Sequence, residues 1–232
     1  MGLRELKKEQ TRQLIADTAW RLFADRGFDR VSVAEIAREA QVAEATVFNY
    51  FPSKEDLFYW RLEGFGTRLA DAVSARSPGE SVLAAFRRSL LAEGGLLAQV
   101  EAGDPEGLAR LRTVNRMIAA SPALRAREQQ AMSRNADSLA ELLAAETGAP
   151  ADDLRPQVVA NALIGVHRAL VDYVRRRVLA DDEPARLTAD VRQLTTAAFA
   201  LLEHGLRDYT AKPPGPRERR SAGSACRGHP GE

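Results

Sequence analysis

Apolar residues recur along this chain at intervals of three and four, and no stretch alternates as a strand would. That pattern predicts helices throughout. From Thr11 to Arg26 the apolar positions are Leu14, Ile15, Ala19, Leu22 and Phe23, one face of a helix. Residues 1–10 are polar and expected to fray, and Gly27 is expected to end the helix as a left-handed cap. Ser32 and Glu35 form the S-x-x-E pair of a capping box, which starts a second helix with the stripe Ile36, Ala37 and Ala40. The turn Gln41-Val42-Ala43 leads to a short third helix, about Glu44 to Tyr50, with Val47 and then Phe51 facing inward. Pro52 stops it. Ser53 caps a fourth helix whose first turn is Lys54-Glu55-Asp56. That helix carries Leu57, Phe58, Trp60 and Leu62 into Gly64-Phe65-Gly66, where each glycine weakens it by about 1 kcal/mol relative to alanine.

Ser77-Pro78-Gly79 reads as a linker. Beyond it, helical patterns cover about 80–92, 96–102, 105–119, 122–146, 153–179 and 184–207. Asp104 and Ser121 each precede a proline, the signature of a helix start. The densely charged 122–146 stretch is expected to be partly exposed. The fold class is therefore all-α, with about nine helices. Residues 1–55 are expected to form a three-helix helix-turn-helix domain, and 56–208 a larger helical domain. Residues 209–232, rich in Pro, Gly, Ser and Arg, are expected to be a disordered tail.

Composition narrows the function. Of 232 residues, 45% are hydrophobic, enough for a substantial core, and the net charge is only +1. The first sixty residues carry nine Lys and Arg against ten Asp and Glu. Affinity for nucleic acid would have to come from the placement of a few groups and from doubling through a dimer. The lone Cys226 permits no intrachain disulfide, which suits a reducing cytoplasm. The start of the chain lacks the apolar core of a signal peptide, and no apolar run approaches the roughly 20 residues that span a bilayer. There is no G-x-S-x-G, no phosphate-cradling glycine loop and no H-E-x-x-H. His167, His204, His229 and Cys226 are scattered without metal-ligand spacing. Catalysis, a metal and a cofactor are not expected.

The third helix is short, with small and polar side chains on one face, as a helix entering a DNA major groove requires. Thr46 and Asn49 lie three apart, hence on one face. Asparagine can bond adenine through two contacts, and threonine can meet a thymine methyl or a phosphate. Glu44 can accept from cytosine, or it simply complements the helix dipole. Ser32 has its capping duty and a phosphate as alternative partners. Arg4, Lys7, Lys8 and Arg12 make a basic arm or an ordinary solvated start.

From about Thr11 to Leu62 the sequence, with LIADTAWRLFADRGFDRVSVAEIAREAQVAEATVFNYFPSKEDLF at its heart, resembles the N-terminal domain of TetR-family transcriptional repressors. The Phe-x-x-x-Gly-Phe ending of the first helix, the capping box and FPSKEDL occur together and in order. Arg110 to Gly148, followed by ANALIGVHRALVDYV, is similar to the C-terminal domain of an actinobacterial subgroup of these repressors. The chain departs from the family at three positions. Gln41 stands where glycine is usual, and Phe48 where tyrosine is common. Ala43 stands where Ser or Thr caps, at a cost of about 1 kcal/mol.

The resemblance implies a DNA-contacting set of Thr11, Ser32, Val33, Glu44, Ala45, Thr46, Asn49, Tyr50 and Lys54, with Lys54 on a phosphate. It implies a homodimeric repressor on double-stranded palindromic operator DNA, released by a small-molecule effector, with 56–208 as the domain for effector binding and dimerisation. An activator, or a helical adaptor without operator binding, is the alternative. Trp60, Phe86, Leu90, Asn115, Met117 and His167 are candidates to line an effector cavity. Otherwise the polar ones face solvent and the apolar ones fill core. Val158, Val159, Leu163, Val166 and Leu170, with Val191, Leu194, Phe199 and Leu202, form apolar surfaces that two copies would bury as a four-helix bundle. The Arg175-Arg176-Arg177 run is expected to satisfy a helix C-terminus.

Overall fold

Local chemistry sets the helix boundaries in the computed structural model, which describes residues 2–60, 64–92 and 105–205. Helix α1 is Leu3–Arg26. It begins two turns before the expected start, because Leu6 N–H already bonds Gly2 O at 3.1 Å and the polar residues that follow are good helix formers. Gly27 ends it with φ 84° and ψ 151°, a positive-φ conformation but not the left-handed helical one expected; its N–H still bonds Phe23 O.

Helix α2, Val33–Glu39, carries both halves of the capping box: Glu35 N–H donates to Ser32 Oγ, and Ser32 N–H donates to the Glu35 carboxylate at 2.8 Å. Gln41 sits at φ 56°, where glycine is more at ease. Helix α3 is Glu44–Tyr50, and its cap residue Ala43 offers no side-chain bond. Helix α4 is Lys54–Tyr59, capped by Ser53 Oγ, which accepts from Asp56 N–H at 3.0 Å.

The fourth helix was expected to run on into the glycines. It is described only to Tyr59, and α5, Gly64–Ser74, starts at the first of them. Helix α6 is Val82–Leu91, capped by Ser81. Four longer helices follow: α7, Pro105–Ala120; α8, Pro122–Thr147; α9, Arg155–Leu179; and α10, Pro184–His204. Ser121 and Pro122 start α8 as expected, and Gly148, at φ 60° and ψ 31°, ends it in the left-handed conformation. The described residues thus hold ten helices. The helix expected at about 96–102 and the tail lie outside the described residues.

The described residues belong to two units, Met1–Phe199 and Ala200–Glu232. In the first, Ile15, Leu22 and Phe23 of α1, Ile36 of α2, Val47 of α3 and Leu57 and Phe58 of α4 share one core. Phe58 meets Phe28 and Tyr59 edge-on at 5.6 and 5.1 Å, the arrangement ring quadrupoles favour. Met117, Ile118 and Leu124 extend that core into α7 and α8. Tyr59 OH donates to the buried Leu124 carbonyl at 3.0 Å. Helix α8 is partly exposed, as expected, and buries Leu124, Met132, Ala136, Leu139, Ala140 and Leu143 on a face recurring at the helical period. Helix α9 packs along α8 with Leu163, Ile164, Leu170 and Val174 buried.

Candidate nucleic-acid interface

One buried residue aims α3. Val47 lies in the core, so its neighbours Glu44, Ala45, Phe48 and Asn49 face outward, with Thr46 and Tyr50 half-exposed. The N-terminal turns of α1 lie beside this face. Arg4, Lys7, Lys8 and Thr11 form one wall of a groove of about 430 Å³, and Thr46, Asn49 and Tyr50 form the other. Cations thus stand opposite side chains able to read bases, an arrangement that net charge alone conceals. Thr11 Oγ donates to Lys7 O at 2.9 Å, inside the same helix.

Lys54 is half-buried. Its ammonium donates to Phe28 O at 3.1 Å and Val31 O at 3.0 Å, and stands 4.2 Å from the Phe28 ring centroid. It therefore clamps the α1–α2 connection to the start of α4. An ammonium has three N–H groups, so one remains for a phosphate. Ser32 is exposed, but its hydroxyl is engaged with Glu35, whose carboxyl is held below the usual range chiefly by the Ser32 backbone bond. Val33 is half-buried against the core. Arg21–Glu39 and Arg26–Glu35 link α1 to α2, both on the surface, where such pairs contribute little.

Phe48 was read only as a missing hydroxyl. The structure leaves it 46% exposed on the outward face of α3, where an aromatic edge can meet a thymine methyl. The signal was its position, one residue past the inward Val47.

Among the described residues, three hydrogen bonds fasten this head to the later helices beside the shared apolar core, and none was visible as a motif. Arg127 Nε donates to Asp56 at 2.7 Å, Ser121 Oγ to Asp29 at 2.8 Å, and Tyr59 to Leu124 as described. Burial alone would raise the Asp56 carboxyl, but hydrogen bonds from Arg127 and Ser53 outweigh it and hold the group below its ordinary value.

The six effector candidates do not share one neighbourhood. Trp60 and Met117 pack with the head's core, whereas Phe86 and Leu90 are buried on α6, with Phe86 6.3 Å from the Phe199 ring. Asn115 accepts from Arg175 at 3.2 Å, and Arg175 also reaches Glu128 at 2.6 Å. Arg175 is thus a cross-link rather than a partner for its own helix end. His167 is buried in α9, which pushes its pKa down to about 4. A cavity of about 450 Å³ in this region is lined instead by Val82, Leu143, Thr147, Pro150, Pro156 and Val159.

The dimer candidates divide as well. Leu163 and Phe199 are fully buried and Leu170 nearly so, so they belong to the chain's own core rather than to a free surface. Val159 and Val166 are half-buried, Leu194 is 39% exposed, and Leu202 falls in the second unit. The exposed apolar residues of this stretch include Val158 and Leu154, at the start of α9.

Two short helices around a tight turn, the second aimed outward by one buried valine beside a basic arm, define a helix-turn-helix DNA-binding regulator. Residues 15–59 match the bacterial regulatory proteins of the tetR family, and residues 80–207 match the MftR C-terminal domain. The chain is 30% identical over 203 residues to the transcriptional regulator MftR of Mycobacterium tuberculosis, across 86% of this chain and 93% of that protein. It is 28% identical over 205 residues to the HTH-type transcriptional regulator TcmR of Streptomyces glaucescens, across 87% and 85% of the two. Its fold is similar to that of NalD, a secondary repressor of a multidrug efflux pump in Pseudomonas aeruginosa, with TM-score 0.52 and 22% identity over 83% of this chain and 96% of that one. This chain belongs to the TetR family of bacterial transcriptional regulators, with a C-terminal domain of the MftR type. Regulators of this family act by binding DNA and are not catalysts. Among the described residues, no helix is long and apolar enough to cross a membrane.

Proposed function

We propose that this protein is a homodimeric repressor that occupies a palindromic operator and leaves it when a small molecule binds. The groove carries the reading: Arg4, Lys7 and Lys8 on one wall face Thr46, Asn49 and Tyr50 on the other. A phosphate strand held by the cations would bring base edges to the α3 side chains. In a dimer the two α3 helices would meet successive major grooves, about 34 Å apart. The outer faces of α9 and α10 support pairing. Leu154 and Val158 stand 74% and 63% exposed, with the exposed Gly165 and Ala169 further along α9. Release follows from the fastening of the head. An effector that shifts α8 pulls on Asp56, Asp29 and Tyr59 together. Such a switch requires the effector to favour one state over the other.

The test is a mobility-shift titration on the promoter beside the gene. A complex of two chains that weakens when either half-site is scrambled supports the reading. Equal affinity for random DNA overturns it. Expression of the neighbouring gene should rise with Thr46→Ala; a fall would indicate activation.

A further inference from the structure

A second cleft, of about 360 Å³, lies between the head and α8, beside the end of α3. Its walls include Arg12, Phe51, Asp56, Trp60, Arg127 and Arg134. Arg12 comes from α1, and its guanidinium stands 5.5 Å from the Phe51 ring centroid and 5.2 Å from that of Trp60. The two rings hold it in place, but they cannot accept its N–H groups as a carboxylate would. Its Nε is buried and has no hydrogen-bond partner among the described residues.

Asp56, the carboxylate among the described lining residues, is already committed. Asp56 accepts from Arg127 through one oxygen at 2.7 Å and from Ser53 through the other at 2.8 Å. Arg134 adds its charge near the same group. Among the described residues that line the cleft, three guanidiniums therefore stand beside one carboxylate, itself engaged. A guanidinium keeps its charge at every accessible pH and presents donors in a fork that fits phosphate or carboxylate.

We infer that this cleft binds a small organic anion with a phosphate or carboxylate head and an apolar body. The head takes the unused donors of Arg12 together with Arg134, and the body rests on Trp60. The cleft touches both the end of α3 and the Asp56–Arg127 fastening, so its occupant changes how the head is held. This site is separate from the 450 Å³ cavity near Val82 and Val159, and it does not depend on which ligand releases the operator.

Isothermal titration calorimetry on the full chain without DNA tests it, with phenyl phosphate as probe and inorganic phosphate and phenol as its halves. Phenyl phosphate should bind one site per chain and more tightly than either half. Arg12→Gln and the surface variant Arg134→Gln should each weaken it about tenfold, the loss of one charge-assisted contact. No binding by the wild-type chain, or equal binding by wild type and Arg134→Gln, overturns the inference. So does a result in which these variants only weaken operator DNA and flatten its salt dependence, since the donors would then serve the DNA backbone. Support for the inference comes from probe binding without DNA, so repression can fail without touching that result.

Discussion

The head, Leu3 to Trp60, and the later helices, Val82 to Phe199, manage polar groups in opposite ways. In the head, Ser32 meets Glu35 and Ser53 meets Asp56, each three residues away. In the later helices, Arg175 meets Glu128 and Asn115 across separations of 47 and 60 residues. The head keeps its interior largely apolar and aromatic and sets these polar pairs at helix starts. The later region builds ionic and amide groups into its packing. A surface that must fit DNA gains from an interior with few alternatives. On the function proposed above, a region that responds to a ligand gains from internal bonds that can be exchanged.

The largest expected effect removes the long-range cross-link. Arg175→Ala should cost about 3–5 kcal/mol in urea denaturation, because Glu128 and Asn115 lose their shared donor. A loss under about 1 kcal/mol, typical of surface pairs, would erase the contrast. Next comes His167. With its folded pKa depressed to about 4 against 6.5 for the free group, the unfolded chain binds the extra proton between those values. Stability should therefore fall by about 3 kcal/mol as pH drops from 7 to 4. Most of that slope should vanish in His167→Gln, and an unchanged slope would place the proton elsewhere.

Substitutions in the head should separate binding from stability. Asn49→Ala should weaken operator binding by about 1–3 kcal/mol with the denaturation midpoint unmoved. A shifted midpoint would make Asn49 a structural residue. Ser32→Ala should cost about 1 kcal/mol of stability through the lost cap. Lys8→Ala should act only through charge, lowering the slope of log affinity against log salt by about one. An effect that persists at high salt would mean that Lys8 does more than meet a phosphate.

The same contrast explains what the sequence discloses. The capping box at Ser32, the Ser53 cap, the Gln41 turn and the inward Val47 are each written within four residues, and the structure keeps all of them. Gln41 takes the positive φ that the family's glycine would take. Contacts between distant residues leave no such mark. The charges of 122–146 announced its exposed face, and they point outward between apolar positions without preventing burial of the other face. Leu163, Leu170 and Phe199 read as surplus surface because a pattern of apolar residues does not tell an internal partner from an external one. In the same way, Lys54 was readable as a cation near DNA but not as the clamp on the Phe28 and Val31 carbonyls.

The packing of Trp20 and Trp60 against the head's core gives the molecule a built-in optical label. These are the chain's two tryptophans, so indole emission watches the head, while backbone ellipticity is dominated by the long helices beyond it. Recording both on one sample distinguishes loosening of the head from melting of the rest, without a dye.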